Sequence, residues 1–431
     1  RLPRFPSIDS RTSERDRRMK AKFGRDVLFI CADLRMWVFP AILTAFVFNL
    51  GHAEETKVPG VVIDHSPKTS GIYIGSPSLA VLPNGTYVAS HDEFGPGSTE
   101  RTRARTRVFV SNDRGQSWHH VGNVDGQFWS SLFVHEGNLY LVGTWSHYGN
   151  LVIRKSQDGG KTWTEPSDSE TGLIRTGQFH CAPVPIVVHA GRIWRAFEDT
   201  TDPKRWGLPF RARVISAPVD ADLLRADSWI LSEPLASDPA WLGKRFNGFL
   251  EGNVVITPDG KLVNILRVDC PEGGKAALVT VSPDGTKLSF NPEEDFIDFP
   301  GGAKKFTIRF DPQTKRYWSL VNPVPLKYRD RKAASVRNTL ALTSSSDLRH
   351  WTIHCALLHH PDPVYHGFQY PDWLFDGEDI IAVIRTAFDD EVGGAHNAHD
   401  ANFLTFHRFR DFRSLGWRDS VLKPEEFGLE K

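Results

Sequence analysis

The chain has 431 residues with 52 basic and 52 acidic side chains, so its formal net charge at neutral pH is zero. A balanced charge argues against a nucleic-acid groove and against attraction to an anionic membrane surface. The four cysteines are too few for a disulfide-dense fold and show no metal-ligand spacing, so we expect neither a metal nor another cofactor.

The first segment with a recognisable pattern lies near the N-terminus. Residues 37–50 form an uncharged, largely apolar run that is too short to cross a bilayer, and Gly51-His52-Ala53 follows as a small-x-small cleavage pattern. This predicts an N-terminal extension with a signal peptide over residues 1–53, cleaved near Ala53, and a mature chain over residues 54–431. We therefore expect a secreted or periplasmic protein whose mature chain has no membrane span.

Two repeating signals run along the mature chain. The first is an aspartate turn, clearest at residues 111–118 and 156–163, in which the carboxylate accepts backbone N–H groups and glycine supplies a positive φ. Its aspartates are Asp113, Asp158, Asp222, Asp284, Asp347 and Asp411. The second is a short turn between apolar-alternating runs, which indicates a β-hairpin. These turns are Asn84-Gly85, Glu136-Gly137, Ala190-Gly191, Asp259-Gly260, Pro312-Gln313 and Asp376-Gly377.

One hairpin and one aspartate turn make a unit of about 63 residues, which suits one four-stranded blade of a propeller. Six units predict an all-β fold, a six-bladed β-propeller of four-stranded antiparallel blades. We expect all the aspartate turns on the face opposite the functional pocket.

The first and third units carry candidate acids. The first hairpin returns into a polar run that contains Asp92, at a strand end where side chains reach a propeller face. In the third unit His180 lies opposite Glu198 and Asp199, which are further candidates for a catalytic acid. A histidine in such a place is more often a hydrogen-bonded structural residue than a catalyst, and His180 also remains a candidate for substrate binding.

The fourth and sixth hairpins carry the most informative side chains. Glu251 and Arg267 lie at equal distances on either side of their turn, so antiparallel pairing places them opposite each other. This pair is either functional or a plain structural salt bridge. Tyr370 and Arg385 flank the sixth turn at similar offsets, so a phenol and a guanidinium face the same rim.

Two further polar stretches complete the candidates. Arg337 begins a strand that leads directly into an aspartate turn. Residues 396–402 contain two histidines and an aspartate, but no other cluster has a matching spacing, so we interpret them as a substrate loop rather than a metal site.

These motifs resemble the sialidase (neuraminidase) superfamily of six-bladed propellers, in which the aspartate turns are called Asp boxes or BNR repeats. The resemblance covers essentially the whole mature chain, although Asp boxes also occur in non-enzymatic relatives. It implies that Tyr370 is a nucleophile activated by Glu251, and that Arg267 and Arg337 bind a substrate carboxylate.

The chain departs from the family pattern at two coupled positions. Gly75 stands where the family has the first arginine of its carboxylate-binding triad, and Arg385 stands where it has the glutamate that steadies that arginine. Loss of the arginine removes the need for the glutamate, and Arg385 then supplies positive charge from the other side. The resemblance places the acid/base carboxyl at Glu100, while Asp92 is close enough in sequence to compete for that role.

The chemistry of these residues is consistent without the resemblance. A phenol has a pKa of about 10 and is a poor nucleophile unless a carboxylate such as Glu251 takes its proton. A neutral nucleophile suits an anionic sugar, because a carboxylate that attacks beside another carboxylate meets repulsion. We predict a monomeric, exo-acting, retaining glycoside hydrolase whose partner is an acidic glycan or glycoconjugate carrying sialic acid or another anionic sugar.

Two other functions fit the same residues. A propeller polysaccharide lyase would use Tyr370 with His180 or His399 to abstract a proton beside a uronate carboxylate that the arginines neutralise. A non-catalytic glycan-binding propeller is also compatible with the fold, since a fold alone does not establish activity. Binding alone requires neither Glu251 nor Tyr370, so the presence of both favours an enzyme.

Overall fold

Strands make up most of the regular structure. The computed structural model describes residues 57–430. The predicted signal peptide, its cleavage point near Ala53 and the domain boundary after residue 53 lie outside the described residues. Within the described part of the chain, no helix is both long and apolar enough to cross a membrane.

The strands are short and are separated by turns rich in glycine, asparagine and aspartate, which favour chain reversal. In chain order they are β1 (Val61–His65), β2 (Tyr73–Val81), β3 (Tyr87–Phe94), β4 (Arg105–Ser111), β5 (His119–Asp125), β6 (Phe128–His135), β7 (Asn138–Thr144), β8 (Gly149–Ser156), β9 (Leu173–His180), β10 (Val187–His189), β11 (Arg192–Thr200), β12 (Phe210–Pro218), β13 (Ile230–Leu231), β14 (Leu235–Ala236), β15 (Gly248–Ile256), β16 (Leu262–Asp269), β17 (Lys275–Val281), β18 (Leu288–Ser289), β19 (Phe296–Asp298), β20 (Thr307–Asp311), β21 (Arg316–Val321), β22 (Thr339–Ser345), β23 (Thr352–His359), β24 (Gly367–Asp376), β25 (Asp379–Ala387) and β26 (Phe403–Phe409).

Helical segments are few and short. One α-helix, α1, covers Trp241–Lys244. The 3-10 helices are Lys68–Ser70, Ala226–Ser228, Leu326–Tyr328, Ala333–Ser335, Phe412–Ser414, Trp417–Asp419 and Pro424–Phe427.

The strands form antiparallel sheets in the manner of propeller blades. Four sheets have a path of four strands, in the orders β2-β3-β4-β5, β15-β16-β17-β18, β20-β21-β22-β23 and β1-β26-β25-β24. In the last of these, the N-terminal strand β1 pairs with the C-terminal strand β26, which joins the two ends of the described chain in one sheet. The fifth sheet has nine strands, with a main path from β13 through β12, β11, β9, β8 and β7 to β6.

The prediction of six separate four-stranded blades is therefore wrong as a count of sheets. Four sheets have the form of single blades, and the other nine strands belong to one sheet. The merger occurs at β9, which pairs with β8 on one side and with β11 on the other. The joining pairs are His180 with Glu198 and Phe179 with Asp199.

All six predicted hairpins are confirmed by the strand pairings β2/β3, β6/β7, β10/β11, β15/β16, β20/β21 and β24/β25. The first strand of each hairpin, or the residues just before it, lines a shared cavity of about 630 Å³. Its wall is mostly aliphatic, so the inner strands surround an apolar centre.

The aspartate turns form through local hydrogen bonds. Asp158 Oδ1 accepts the backbone N–H of Thr162 at 2.9 Å, and its Oδ2 accepts the Thr162 hydroxyl at 2.6 Å. Asp113 makes the same two contacts with Ser117, at 2.9 and 2.5 Å. Each predicted turn follows the strand after a hairpin, namely β4, β8, β12, β17, β22 or β26. In β4, for example, the last residue pairs with the first residue of β3, so the turn lies at the hairpin-turn end of its sheet.

Candidate active site

The residues at the other end of the hairpins meet in one cavity of about 620 Å³. Seven of the eight predicted site residues line it, namely Glu100, His180, Glu251, Arg267, Arg337, Tyr370 and Arg385. Other parts of the wall come from Gly75, Phe94, Phe128, Trp129, His147, Trp206, Asp269 and His399. The arginines, the tyrosine and the glutamate therefore converge in one pocket.

Glu251 and Tyr370 reach this cavity from β-bulges. The register of β15 with β16 shifts beside Glu251, and the register of β24 with β25 shifts beside Tyr370. Both residues have a positive φ, 56° for Glu251 and 54° for Tyr370. This left-handed backbone is unfavourable for residues with a side chain and is retained where the surroundings enforce it, often at functional sites.

Because of the bulge in β15, the residue paired with Arg267 differs by one position from the predicted one. Arg267 is paired with Leu250 and not with Glu251. The expected ion pair nevertheless forms, with Arg267 Nη1 at 2.9 Å from Glu251 Oε2. A one-residue bulge redirects the side chain of the inserted residue, so the contact survives although the register differs.

Tyr370 and Glu251 are hydrogen-bonded. The Tyr370 hydroxyl donates to Glu251 Oε1 at 2.9 Å, and Arg267 Nη1 lies 3.4 Å from the same hydroxyl. Burial raises the pKa of Tyr370, and the negative charge of Glu251 adds to this effect while the arginines oppose it. Burial also acts to raise the pKa of Glu251, but Arg267, His180 and the hydrogen bond from Tyr370 together outweigh it, so the pKa of this carboxyl is lowered. Glu251 is therefore ionised at neutral pH and placed to accept the phenol proton.

Arg337 and Arg385 extend the positive charge around Tyr370. Their Cζ atoms lie 5.8 Å and 4.9 Å from the centre of its ring. Arg337 Nη1 donates to Gln369 Oε1 at 2.5 Å, and Arg385 Nη2 donates to the backbone oxygen of His399. Burial lowers the pKa of both guanidinium groups, that of Arg337 to about 10. Both groups remain charged at neutral pH, and among residues 57–430 neither forms an ion pair.

Each of these guanidinium groups keeps donors that the described residues do not use. The Nε atoms of Arg267, Arg337 and Arg385 are buried without a hydrogen-bond partner in the described part of the chain. A guanidinium has five N–H donors and holds carboxylates well. The cavity wall as a whole carries more cations than carboxylates, namely Arg267, Arg331, Lys332, Arg337 and Arg385 against Glu100, Glu251 and Asp269. The wall is therefore suited to an anionic ligand.

Glu100 is placed in the cavity wall as a second carboxyl. One of its oxygens accepts the Gly95 N–H at 3.3 Å. The other lies 3.5 Å from Arg101 Nε and 3.6 Å from His147 Nδ1. Burial raises the pKa of Glu100. This carboxyl therefore keeps its proton to a higher pH than Glu251, as a general acid requires.

The structure does not bring Asp92 into the cavity, which corrects its prediction as a catalytic acid. Its side chain is fully buried, and Oδ1 accepts the Thr106 hydroxyl at 2.7 Å. Burial raises the pKa of Asp92 to about 7. Proximity to Glu100 in sequence is not proximity to the cavity, because Asp92 lies within β3 while Glu100 lies in the following loop.

His180 has both of the surroundings that the sequence suggested. Its ring lines the cavity, stacks on Phe210 at 4.7 Å and meets Trp129 edge-on at 4.6 Å. Its Nδ1 lies 3.4 Å from Glu198 Oε2, and burial raises the pKa of that glutamate. Glu198 thus contacts the His180 ring through Nδ1 and orients it. Asp199 is bound by two arginines and lies outside the wall of this cavity.

Sequence reasoning gave no role to several residues of the wall. Asp269 follows Arg267 by two positions on β16, and period-two alternation would have placed both on one face. Trp129 occupies a bulge of β6 and has a φ of 51°, like the two central residues. Trp206 lies in the loop between β11 and β12, where no local pattern indicates a site.

Residues 396–400 do not form a metal site. His399 Nδ1 lies 2.7 Å from Asp400 Oδ1, and His399 also contacts Arg385 Nη2 at 3.1 Å. Among residues 57–430 no group of three or more histidine, cysteine, aspartate or glutamate side chains is placed to hold a metal ion. Through His399 this loop contacts Arg385 and holds its guanidinium in place.

Gly75 lies in the wall at a point with no room for a side chain. A Cβ at this position would lie 2.2 Å from the Asp92 backbone oxygen. The family's arginine therefore cannot be restored here by a simple substitution.

The Gly75→Ala variant is expected to lose about 1–3 kcal/mol of unfolding free energy, because the added methyl group collides with backbone. Gly416→Ala is the matched control, since its Cβ would meet no atom within 4 Å and its φ is −146°. It should change stability by about 0.5 kcal/mol or less. Urea denaturation measures both. Equal stability of the two variants would contradict the close contact at Gly75.

No family model and no curated protein matches this sequence. Solved structures do match. The Hadza microbial sialidase Hz136 is 14% identical with a TM-score of 0.56, over 83% of this chain and 69% of that chain. The GH93 α-L-arabinofuranosidase of Fusarium graminearum, solved with arabinobiose, is 11% identical with a TM-score of 0.53, over 83% and 98%. The Trypanosoma rangeli sialidase in complex with the inhibitor DANA is 15% identical with a TM-score of 0.50, over 80% and 55%.

These similarities show the fold. The chain is an all-β propeller of the kind found in sialidases and GH93 arabinofuranosidases, which confirms the predicted resemblance at the level of architecture. Identities this low leave the substrate and the chemistry to be argued from the cavity itself.

Proposed function

We propose that this protein is an exo-acting, retaining glycoside hydrolase that removes an acidic sugar from a glycan or glycoconjugate. The observation that carries the proposal is the buried hydrogen bond between Tyr370 and Glu251, at 2.9 Å, within a wall of arginines. A plain glycan-binding site has no use for a phenol held against an ionised carboxylate. The solved enzymes with this fold include sialidases, which supports the same class of reaction.

In the proposed reaction Tyr370 attacks the anomeric carbon while Glu251 takes the phenol proton. Glu100 donates a proton to the oxygen of the leaving group, so the glycosidic bond breaks as the bond to Tyr370 forms. Water then attacks the anomeric carbon of the intermediate, Glu100 accepts the proton of that water, and Glu251 returns a proton to the phenolate. Two displacements at one carbon retain the anomeric configuration.

The proposed substrate is anionic because the wall has cations that form no ion pair with any described carboxylate. Arg337 and Arg385 stand beside the nucleophile without ion pairs and hold the acidic group of the sugar. The GH93 enzymes show that this fold also occurs in enzymes named for a neutral sugar. The cationic wall is the feature that favours an acidic sugar here.

The proposed architecture has six blades, with the nine-stranded sheet counted as two blades joined through β9 and β11. Six inner strands contribute to the apolar cavity at the centre, and each belongs to a different hairpin. The protein is secreted or periplasmic in this proposal and acts as a monomer. N-terminal sequencing of the exported protein tests cleavage near Ala53, and light scattering tests the oligomeric state.

The activity is tested with 4-methylumbelliferyl glycosides of N-acetylneuraminic acid, glucuronic acid and arabinofuranose. We expect hydrolysis of an acidic glycoside, with retention followed by NMR. Polymers that contain uronate serve as the lyase test, since elimination gives an unsaturated product that absorbs ultraviolet light. Unsaturated product without hydrolysis would replace the proposal by a lyase. Binding without any turnover would replace it by a glycan-binding protein.

The role of Glu100 is tested by Glu100→Gln. Its raised pKa predicts a fall in kcat/KM as pH rises through the ionisation of this carboxyl, while the lowered pKa of Glu251 sets a fall at more acidic pH. The pH profile of kcat/KM for the variant should no longer fall at alkaline pH. With an alkyl leaving group the rate should drop by about 10²–10⁴-fold. With a 4-nitrophenyl leaving group it should lose much less, because that group needs no proton. Equal losses with both substrates would contradict a general-acid role.

A further inference from the structure

Asp269 is a buried carboxylate in the cavity wall to which the proposed reaction gives no role. It is the last residue of β16, two positions after Arg267, and its side chain is 2% exposed. Within residues 57–430 its carboxylate accepts no hydrogen bond, and its Oδ1 is buried without a partner. Its backbone oxygen accepts the Asn247 N–H at 2.9 Å.

The other carboxylates near this cavity are used by the protein. Glu251 accepts hydrogen bonds from Tyr370 and Arg267, and Glu100 accepts one from Gly95. Asp92, which lies outside the wall, accepts one from Thr106. A buried carboxylate without donors is costly, and such groups persist where a ligand supplies the donors.

Trp206 places an aromatic surface in the same wall. Its side chain is 46% exposed, and Arg267 Cζ lies 5.6 Å from its ring. Arg267 thus has Trp206 beside its guanidinium and Asp269 two positions along its strand. An aromatic face receives the C–H face of a sugar ring, and a carboxylate accepts hydrogen bonds from its hydroxyl groups.

We infer that Asp269 accepts hydrogen bonds from free hydroxyl groups of the bound acidic sugar while the sugar ring packs on Trp206. This assignment rests on the proposed hydrolase function and refines its substrate class. The acidic group of the sugar is held by Arg337 and Arg385, and Asp269 accepts a hydrogen bond from an unsubstituted hydroxyl on the same ring. Sugars that are deoxygenated or O-acylated at that hydroxyl are therefore poor substrates. Asp269 determines specificity and takes no part in bond breaking.

The test combines Asp269→Ala with substrates that lack single hydroxyl groups. Full-length protein and variant are assayed on 4-methylumbelliferyl glycosides of N-acetylneuraminic acid and glucuronic acid, and on their monodeoxy analogues. We expect the variant to lose about 10- to 100-fold in kcat/KM on the parent glycoside, the usual range for a hydrogen bond to a charged group. On the analogue that lacks the hydroxyl bound by Asp269, wild-type protein and the variant should have equal kcat/KM.

Two further variants separate recognition from stability. Asp269→Asn keeps one acceptor oxygen and should lose less than Asp269→Ala. Asp298→Asn removes a carboxylate that is 89% exposed in the same sheet, outside the cavity wall, and should leave all rates unchanged. A loss by Asp269→Ala that is the same on every deoxy analogue would overturn the inference, as would no loss on the parent glycoside.

Failure of the hydrolase function gives a different result from failure of this inference. If wild-type protein hydrolyses none of the glycosides, the proposed function is wrong, and calorimetric binding of the same glycosides replaces the rates. The same pattern among the deoxy analogues would then support hydroxyl recognition by Asp269. Absence of binding by wild-type protein would overturn both proposals.

Discussion

Replacing Tyr370 by phenylalanine is expected to lower kcat on acidic glycosides by about a thousandfold or more, which corresponds to about 4 kcal/mol of transition-state stabilisation. The variant loses the oxygen that attacks the anomeric carbon, while Glu251 keeps its ion pair with Arg267 at 2.9 Å. KM should change little, because the arginines that are proposed to hold the acidic group remain. Steady-state kinetics on the glycoside that wild-type protein hydrolyses measures both constants.

Tyr317→Phe is the matched control for this substitution. The Tyr317 hydroxyl also donates a hydrogen bond, partly buried, to the backbone oxygen of Ile256 at 2.7 Å, but it lies outside the cavity wall. Loss of that bond should cost about 1 kcal/mol of stability and leave kcat unchanged. If Tyr370→Phe retained the activity of Tyr317→Phe, the phenol would not be the nucleophile, and Glu251 would have to act on water or substrate directly.

The hairpins were predictable because their chemistry is local. Turns such as Asn84-Gly85 and Asp259-Gly260 need only a residue that tolerates positive φ between two alternating runs, and both form as predicted. The number of sheets was not predictable in the same way. It depends on whether β9 pairs with one neighbour or two, and the pair of His180 with Glu198 that merges two units is a contact of tertiary structure.

The site was predictable where side chains lie on paired strands. Counting residues from each hairpin turn placed Glu251 opposite Arg267 and placed Tyr370 at the same rim. The bulges themselves carry no signal in the sequence. Counting failed for Asp92, because it measures position along a strand and not which side of the strand faces the cavity. Trp206 was beyond such reasoning, since the course of a loop depends on its packing.

The arginine arrangement supplies positive charge to the cavity although Gly75 stands where the resemblance places an arginine. At Gly75 the backbone passes so close to Asp92 that a Cβ would meet its carbonyl oxygen at 2.2 Å. Arg385 instead lies over the aromatic rings of Phe94 and Tyr370, at 4.4 and 4.9 Å from their centres. Its Nη2 atom donates to the backbone carbonyl of His399 and lies 3.1 Å from the Nδ1 atom of that residue. Positive charge is thus supplied beside Tyr370 from β25.

This arrangement makes Arg385 the position at which charge should have its largest effect. Arg385→Glu is expected to lose about 3 kcal/mol or more of transition-state stabilisation, at least a hundredfold in kcat/KM on an acidic glycoside. The substitution removes a cation and places a carboxylate beside both Glu251 and an anionic sugar. Arg385→Lys should lose less, because it keeps the charge and forfeits only the planar fork of donors.

Arg385→Gln completes the series and separates loss of the cation from gain of an anion. We expect kcat/KM on acidic glycosides to fall in the order Arg, Lys, Gln, Glu, while kcat/KM on a neutral arabinofuranoside, if it is cleaved, should not follow charge. Thermal unfolding of each variant establishes that the protein is folded at the assay temperature, because burial of an unpaired glutamate also destabilises the fold. Equal activity of Arg385→Glu and wild-type protein on every acidic glycoside would mean that Arg385 is structural. The acidic group would then be held by Arg267 and Arg337 alone, whose unused Nε donors are also buried in the described part of the chain.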